Sequence, residues 1–252
     1  MRVAALFDIH GNLPALEAVL EDIQCGSFDR IMIGGDVVPG PMPRETLRCL
    51  RQLWLPVDYL TGNGDREVLA RMQGVETEWY RTAPDVWRGP VRWSADQLGP
   101  DDAEWMAGWP AMQSLELPEL GRVVFCHATP GSDTEVFTAR TAEEQIMPAF
   151  EGVDGDLVIC GHTHMQFDRK LRDLRIANAG SVGMPYGQRG AHWLQLGPGV
   201  HFQRTPYDFA AAASRIGATN YPQAVDFAAR CVLQPPSESE MLEAFDRLKP
   251  SR

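Results

Sequence analysis

Five short, largely apolar runs in this chain each stop at an Asp, Asn or His. That recurrence constrains the fold more than any bulk property. Val3–Phe7 leads into Asp8-Ile9-His10-Gly11-Asn12, and Arg30–Ile33 into Gly34-Gly35-Asp36. Val57–Leu60 leads into Thr61-Gly62-Asn63-Gly64-Asp65. Val123–Cys126 meets His127, and Leu157–Cys160 meets Gly161-His162-Thr163-His164. Such runs are too brief for helices and suit buried strands. Between the first two, Leu13, Leu16, Val19, Leu20 and Ile23 fall at helical spacing, with Asn12 at the N-cap and Pro14 in the first turn. A second helix fits Arg44 to Leu53. Strands alternating with helices imply an α/β sheet, in which ligands bind beyond the carboxyl ends of the strands. The strand-end Asp, Asn and His residues are therefore expected at one edge.

The stretch 67–117 reads differently. It carries Trp79, Trp87, Trp93, Trp105 and Trp109 with Pro and Gly between them, and is expected to be a mostly helical insertion leaning over the site. Packing onto the main fold is the favoured role of these tryptophans; the other is stacking on a substrate base or ring. Arg175-Ile176-Ala177 precedes the run Asn178-Ala179-Gly180-Ser181-Val182-Gly183-Met184-Pro185, and a hairpin-like pair follows at His192–Leu196 and Val200–Arg204. The tail, 206–252, reads as helices at Tyr207–Ile216, Gln223–Leu233 and Glu238–Leu248, the last two separated by Pro235-Pro236. Residues 1–252 are expected to form a single domain.

Hydrophobic residues make up 44% and charged residues 23% of the 252 positions, which is ordinary globular usage and argues against disorder. The net charge of -11 repels duplex nucleic acid and anionic membrane, so non-specific binding to either is not expected. A phosphate-bearing substrate would need a local positive centre, which metal ions would supply. No apolar run approaches the ~20 residues of a membrane span, and the start of the chain lacks a signal-peptide pattern. Cys25, Cys49, Cys126, Cys160 and Cys231 are scattered and form no C-x-x-C pair, which points to a reducing, cytoplasmic setting. Cys126 and Cys160 are expected to be small core residues.

Asp8 and His10 are two residues apart at one strand end, as are His162 and His164 at another, so each pair can turn to one side. Imidazoles and carboxylates suit Mn, Fe, Co, Ni or Zn. Asp36 offers two oxygens for bridging two ions, Asn63 an amide oxygen and His127 a further imidazole. A lone strand-end Asp is usually a turn former and a lone His usually a core residue. Seven candidate ligands at five strand ends read as a metal site instead. His192 and His201 are given no role. Arg66 stands beside the third cluster, where it either reaches a phosphate oxygen or lies solvated on the surface. Asn12 either contacts substrate or caps the first helix, the cap being favoured. Gly180 and Ser181 belong to a turn whose backbone amides are candidates to close a phosphate pocket.

Asp8-x-His10, Gly34-Gly35-Asp36, Gly62-Asn63-x-Asp65, His127 and Gly161-His162-x-His164 resemble the five ordered motifs of the calcineurin-like metallophosphoesterases, over residues 3–185. The Asn178–Gly183 run and the tail resemble a bacterial and archaeal subgroup of small phosphodiesterases. The resemblance implies a four-layer α-β-β-α sandwich, to which the residue pattern adds a helical Trp-rich insertion and a helical C-terminal tail. It implies two divalent transition metal ions: Asp8, His10 and His164 on one, Asn63, His127 and His162 on the other, Asp36 bridging. It implies hydrolysis of a phosphodiester or nucleotide phosphate by a metal-activated hydroxide; Asp36, Asp65 and, from its place beside the motif, Arg66 are the catalytic candidates, Asn63 is also a candidate substrate contact, and a pocket narrowed by the Trp-rich insertion favours a small phosphate ester such as a nucleotide. One departure stands out. Many members carry His directly after the motif Asn, where it assists the leaving group; here that position is Gly64. Asp65, which orients that His in the family pattern, is retained. His127 is followed by Ala128 where Gly is common. The alternatives are a phosphoprotein phosphatase of the same fold and a non-catalytic scaffold, as in retromer, though a scaffold has no reason to keep all seven ligands. Oligomeric state is left open, a homodimer included.

Overall fold

A computed structural model describes residues 1–247. The elements in chain order are β1 (Val3–Leu6), α1 (Leu13–Cys25), β2 (Arg30–Ile33), α2 (Pro43–Arg51), β3 (Val57–Tyr59), α3 (Asn63–Met72), α4 (Glu78–Thr82), α5 (Asp85–Gln97), α6 (Pro100–Ala107) and β4 (Met112–Leu117). They continue with β5 (Gly121–Cys126), α7 (Glu143–Ile146), β6 (Leu157–Cys160), β7 (Gln166–Leu171), β8 (Leu174–Ala179), β9 (Ala191–Leu196), β10 (Val200–Thr205), α8 (Phe209–Gly217), α9 (Ala224–Phe227) and α10 (Glu238–Asp246).

The strands form two five-stranded sheets, ordered β10-β9-β1-β2-β3 and β4-β5-β6-β8-β7. β1, β2 and β3 are parallel, as are β5, β6 and β8. Strand alternation sorts the core into layers. Val3, Ala5 and Phe7 face inward and meet Phe125, Ile159, Ala177 and Leu194 between the sheets. Ala4 and Leu6 face outward against Leu16, Val19 and Leu20 of α1. On the far side, Val124, Cys126, Val158 and Cys160 pack under Phe137, Ile146 and Phe150. Helices, sheet, sheet and a thin helical cover make the expected four-layer α/β sandwich. β1 and β6 are buried along their whole length because both faces are covered, which is why they read as unbroken apolar runs. Cys126 and Cys160 are core residues, as anticipated.

The stretch 67–117 is mostly helical, as expected, but its helices end at Ala107, and Met112–Leu117 is an edge strand of the second sheet. Its alternation carries the polar residues Gln113, Ser114 and Glu116, so no apolar run announces it. β7 is likewise an edge strand with Asp168, Arg169 and Lys170, and gave no sequence signal. In the tail, the segment expected to be helical at Gln223–Leu233 splits into the four-residue α9 and a π-helical turn, Ala228–Leu233. Leu248, the expected end of the last helix, lies outside the described residues.

The tryptophans mostly pack. Trp109 stacks on Tyr59 with centroids 5.3 Å apart, and Trp105 meets both rings edge-on. Trp93 of α5 contacts Tyr221 of the tail at 6.3 Å. Trp79 and Trp87 are exposed. Among the described residues no helix is long and apolar enough to cross a membrane.

Candidate metal centre

The carboxyl ends of β1, β2 and β3 in one sheet meet those of β5 and β6 in the other. Their loops interlock through the backbone. Asp8 N–H donates to Gly35 O (3.1 Å) and His10 N–H to Asp36 O (2.9 Å). Across the sheets, His162 N–H donates to Asp8 Oδ2 (2.9 Å). A Cβ on Gly161 would overlap that same Asp8 oxygen, so glycine is required for the two strand ends to approach.

Among the described residues, five of the seven non-glycine positions with positive φ are candidate ligands: Asp8 (54°), His10 (48°), Asp36 (49°), His162 (66°) and His164 (58°). Left-handed backbone costs an ordinary residue roughly 1–2 kcal/mol. Strain of this kind concentrates where a site over-determines the backbone. Here it turns successive side chains to one side of the sheet edge.

The result is a tight cluster of buried donors. His164 Nε2 lies 3.2 Å from Asp8 Oδ1 and 3.2 Å from His10 Nε2. His127 Nε2 lies 3.9 Å from Asp8 Oδ1 and 3.6 Å from Asp36 Oδ1, while Asp36 Oδ2 lies 3.7 Å from His10 Nε2. Asp36 therefore presents one oxygen to each half of the cluster. Asp8, His10 and His164 form one set of atoms close enough to hold an ion; Asp8, Asp36 and His127 form another. The second set places Asp8 in both halves, beside Asp36.

Three histidines are oriented from behind by carbonyls. Nδ1 contacts Pro39 O in His10 (3.3 Å), Gly34 O in His127 (3.0 Å) and Met184 O in His164 (2.9 Å). A carbonyl only accepts, so each Nδ1 carries the proton and each Nε2 offers a lone pair to the centre, as metal-binding histidines do. Asp8 Oδ1 is buried and accepts no hydrogen bond. One terminal atom of the Asn63 amide lies 3.0 Å from His162 Nδ1 and 3.2 Å from His127 Nε2. As nitrogen it donates to both rings; as oxygen it joins them in a second donor set. Converging lone pairs, a buried unpartnered carboxylate oxygen and mixed N/O donors all fit divalent transition metals.

Charge follows geometry. Burial acts to raise the Asp8 carboxyl; in metal-free protein a proton taken up by His164, then by His127 or His10, overrides it and holds the carboxyl below the usual carboxylate range. Burial, with His127 beside it, pushes His162 down to about 4. Burial and the neighbouring Asp36 push Asp65 up to about 8.

The remaining candidates do not converge on this cluster. Asp65 turns its two oxygens to Val38 N–H and Gly62 N–H (3.0 Å each), clamping two loops. Arg66 grips Asp133 through Nε (2.7 Å) and Nη2 (3.2 Å), and Glu67 through Nη1 (2.7 Å), so its donors are committed to carboxylates and not held out to a phosphate. Asn12 caps α1 through Ala15 N–H (3.3 Å) and donates to Gly183 O (2.8 Å). Gly180 N–H is taken by Asn178 Oδ1 (2.9 Å), and Ser181 Oγ donates to Asp8 O (2.7 Å). Gly183 N–H also bonds Asp8 O (3.0 Å). This turn thus fastens Asp8 in place, and the amides of Gly180, Val182 and Gly183 are taken within the fold. Sequence reasoning missed Asn178 as the clamp on Gly161 O (2.6 Å) and Tyr186 as the ring stacked on His164. The first had a signal, in the Asn that opens the Gly-rich run; the second had none.

Gly64 also has a structural cause. A Cβ there would stand 2.6 Å from Val38 O and 2.7 Å from Pro39 Cδ. Pro39 O is the acceptor that orients His10, so the loop filling this space belongs to the ligand scaffold.

Comparison with known proteins agrees with this geometry. A family model described as a calcineurin-like phosphoesterase superfamily domain matches residues 1–196. An uncharacterized protein of Methanocaldococcus jannaschii is 28% identical over 208 residues, 73% of this chain and 76% of its own length. A metallophosphoesterase structure from Sphaerobacter thermophilus superposes with TM-score 0.69 at 25% identity, covering 91% of this chain and 98% of that one. A symmetrical bis(5'-nucleosyl)-tetraphosphatase of Vibrio campbellii is 29% identical over 143 residues, 55% of this chain and 48% of that protein.

Proposed function

Because the chain belongs to the calcineurin-like phosphoesterase superfamily, we propose that it is a dinuclear metal-dependent hydrolase of phosphodiesters or nucleotide phosphates. The observation that carries this reading is Asp36, whose Oδ2 faces His10 at 3.7 Å and whose Oδ1 faces His127 at 3.6 Å. One carboxylate spanning two donor groups is the arrangement a metal pair needs. The partition we adopt is the one the family resemblance implies, Asp8, His10 and His164 on one side and His127, His162 and Asn63 on the other, with Asp8 Oδ1 also within 3.9 Å of His127 Nε2. Mn, Fe, Co, Ni and Zn are the candidate metals.

A bound metal pair would neutralise the phosphate and acidify the attacking water. The chain's own part is to hold and orient. Pro39, Gly34 and Met184 carbonyls keep three imidazoles in the ligating tautomer. Asp65 and the Gly180–Gly183 turn hold the loops that carry Asp36 and Asp8. Arg66 is bound to carboxylates, so phosphate recognition rests on the metals themselves, which reconciles an anionic substrate with a chain of net charge -11. A nucleotide is the substrate class favoured by the likeness to the Vibrio tetraphosphatase, which this chain spans over about half its length. The same reading takes 1–252 as one domain in a cytoplasmic, reducing setting suited to five unpaired cysteines.

The test is hydrolysis of aryl mono- and diesters, cyclic nucleotides, dinucleoside polyphosphates and a phosphopeptide with Mn, Co, Ni, Zn and Mg. Metal-dependent turnover of a diester or a nucleotide is the expected result. Turnover of the phosphopeptide alone would favour a phosphoprotein phosphatase. No turnover by protein that binds two ions would leave the scaffold reading.

A further inference from the structure

The tail lies beyond the residues the family model matches, which end at 196, yet it packs on the loop that holds His164, one of the candidate metal ligands. His164 donates from Nδ1 to Met184 O (2.9 Å) and is stacked face to face by Tyr186, with centroids 5.4 Å apart and planes at 24°. Both contacts come from the loop Met184–Gly187. That loop is gripped by the tail at three points. Met184 packs against the tail's apolar cluster of Tyr221, Phe227 and Val232. Phe245 of α10 meets Tyr186 at 6.4 Å. Gly187 N–H donates to Pro236 O (2.8 Å), with Glu238 packed so close that a Cβ on Gly187 would stand 2.8 Å from its Cγ. α10 buries no residue completely, and Phe245 and Glu238 are the side chains it sets against this loop.

We propose that Tyr186 is a positioning residue for His164, and that the C-terminal tail completes the metal centre by holding Tyr186 against that ring. The inference deepens the metal-dependent reading above and rests on it. The Met184 carbonyl fixes one edge of the His164 ring and Tyr186 stacks on its face, while His10, its ring tilted at 52° and 5.0 Å away, and Asp8 lie at the Nε2 end and repel its lone pair rather than hold it. Removing the Tyr186 ring leaves the imidazole free to rotate about the Met184 contact, and misplaces Nε2. Changes in the groups that orient a ligating histidine typically weaken metal binding ~10- to 100-fold.

The experiment is a calorimetric Mn2+ titration of chelator-stripped full-length protein, with bound metal counted per chain. Tyr186→Ala is expected to weaken one of two sites by ~10- to 100-fold. Tyr186→Phe, which keeps the ring, should bind as the unmodified chain does. Phe245→Ala, which does not touch His164, should weaken the same site by a smaller factor. A folded Tyr186→Ala protein that holds both ions at unmodified affinity overturns the proposal. If Tyr186→Ala does not fold, unchanged affinity in Phe245→Ala overturns it. An unmodified chain that binds fewer than two ions overturns the underlying reading and this inference together. Two tightly bound ions in every variant overturn this inference alone.

Discussion

His10 Nε2 lies 3.2 Å from His164 Nε2, across 154 positions of sequence. Carbonyls take the Nδ1–H of each ring, so the two nitrogens face each other with lone pairs. Asp8 Oδ1 adds a third acceptor 3.2 Å from His164 and 3.8 Å from His10. Acceptors gathered this closely repel one another until a cation lies among them. The fold therefore holds a destabilising arrangement in place by its surroundings, and a ligand that relieves it is coupled to stability.

Metal binding should accordingly raise the melting temperature. An ion at about 100 times its Kd contributes ~2.7 kcal/mol, which for a chain of this size is a rise of roughly 5–10 °C. Differential scanning fluorimetry with and without Mn2+, reversed by chelator, reads this directly. Identical melting with every candidate metal would count against the centre.

Asp36→Asn should keep the fold and lose the chemistry. An asparagine amide oxygen still accepts the Gly64 N–H that Asp36 Oδ1 now takes at 2.7 Å. The charge shared between the two halves is gone. Diester hydrolysis should fall by ~100-fold or more with bound metal reduced, while the melting temperature of metal-free protein changes little. Near-normal turnover would show that Asp36 is not the bridge.

Gly64 should resist side chains of any kind. Its Cβ position is 2.6 Å from Val38 O, so Gly64→Ala should cost ~1–3 kcal/mol by overpacking. Gly64→His meets the same obstacle and should not install a working acid. Without an acid here, the enzyme should favour leaving groups that depart unaided, since acid assistance is worth ~100-fold to 10,000-fold for poor ones. The measurement is rate against leaving-group pKa. A flat dependence would mean that another residue supplies the proton.

His192 should make the protein acid-sensitive. The ring is buried and neither nitrogen has a hydrogen-bond partner. Burial, with Arg204 nearby, pushes its pKa down from 6.5 to about 4. A depressed folded pKa means that the unfolded chain binds the proton more readily. The contribution is therefore complete above pH 6.5 and is lost as pH falls toward 4, amounting to about 3 kcal/mol. Urea unfolding of metal-free protein from pH 7.5 to 4.5 should show a steeper loss in the unmodified chain than in His192→Leu. Parallel profiles would dismiss the assignment.

The buried centre of the fold was legible residue by residue. Leu157–Cys160 and Arg30–Ile33 are strands at the bounds read from sequence, because strands covered on both faces must be continuously apolar. Asn12 caps α1 as its position before Leu13 suggested. The edge strands β4 and β7 were not legible, since one open face lets polar residues alternate and erases the run. Arg66 shows the same limit at the site. Its place beside Asn63 suggested a phosphate contact, but Asp133, far along the chain, occupies its guanidinium.

What the sequence determined by itself is the chemistry of the donors and the strand ends that carry them, because both are written in local pattern: an apolar run, a turn, then Asp, Asn or His. What tertiary structure alone decided is how those donors are used. Packing of the two sheets face to face brings the ends of β1 and β6 together, so that Asp8 accepts the His162 amide. Loop packing makes Pro39, Gly34 and Met184 the carbonyls that set three tautomers, and makes Gly64 a glycine. These are contacts between segments far apart in the chain. Their partners are chosen by packing and hydrogen-bond satisfaction over the whole fold, which no local window of sequence contains.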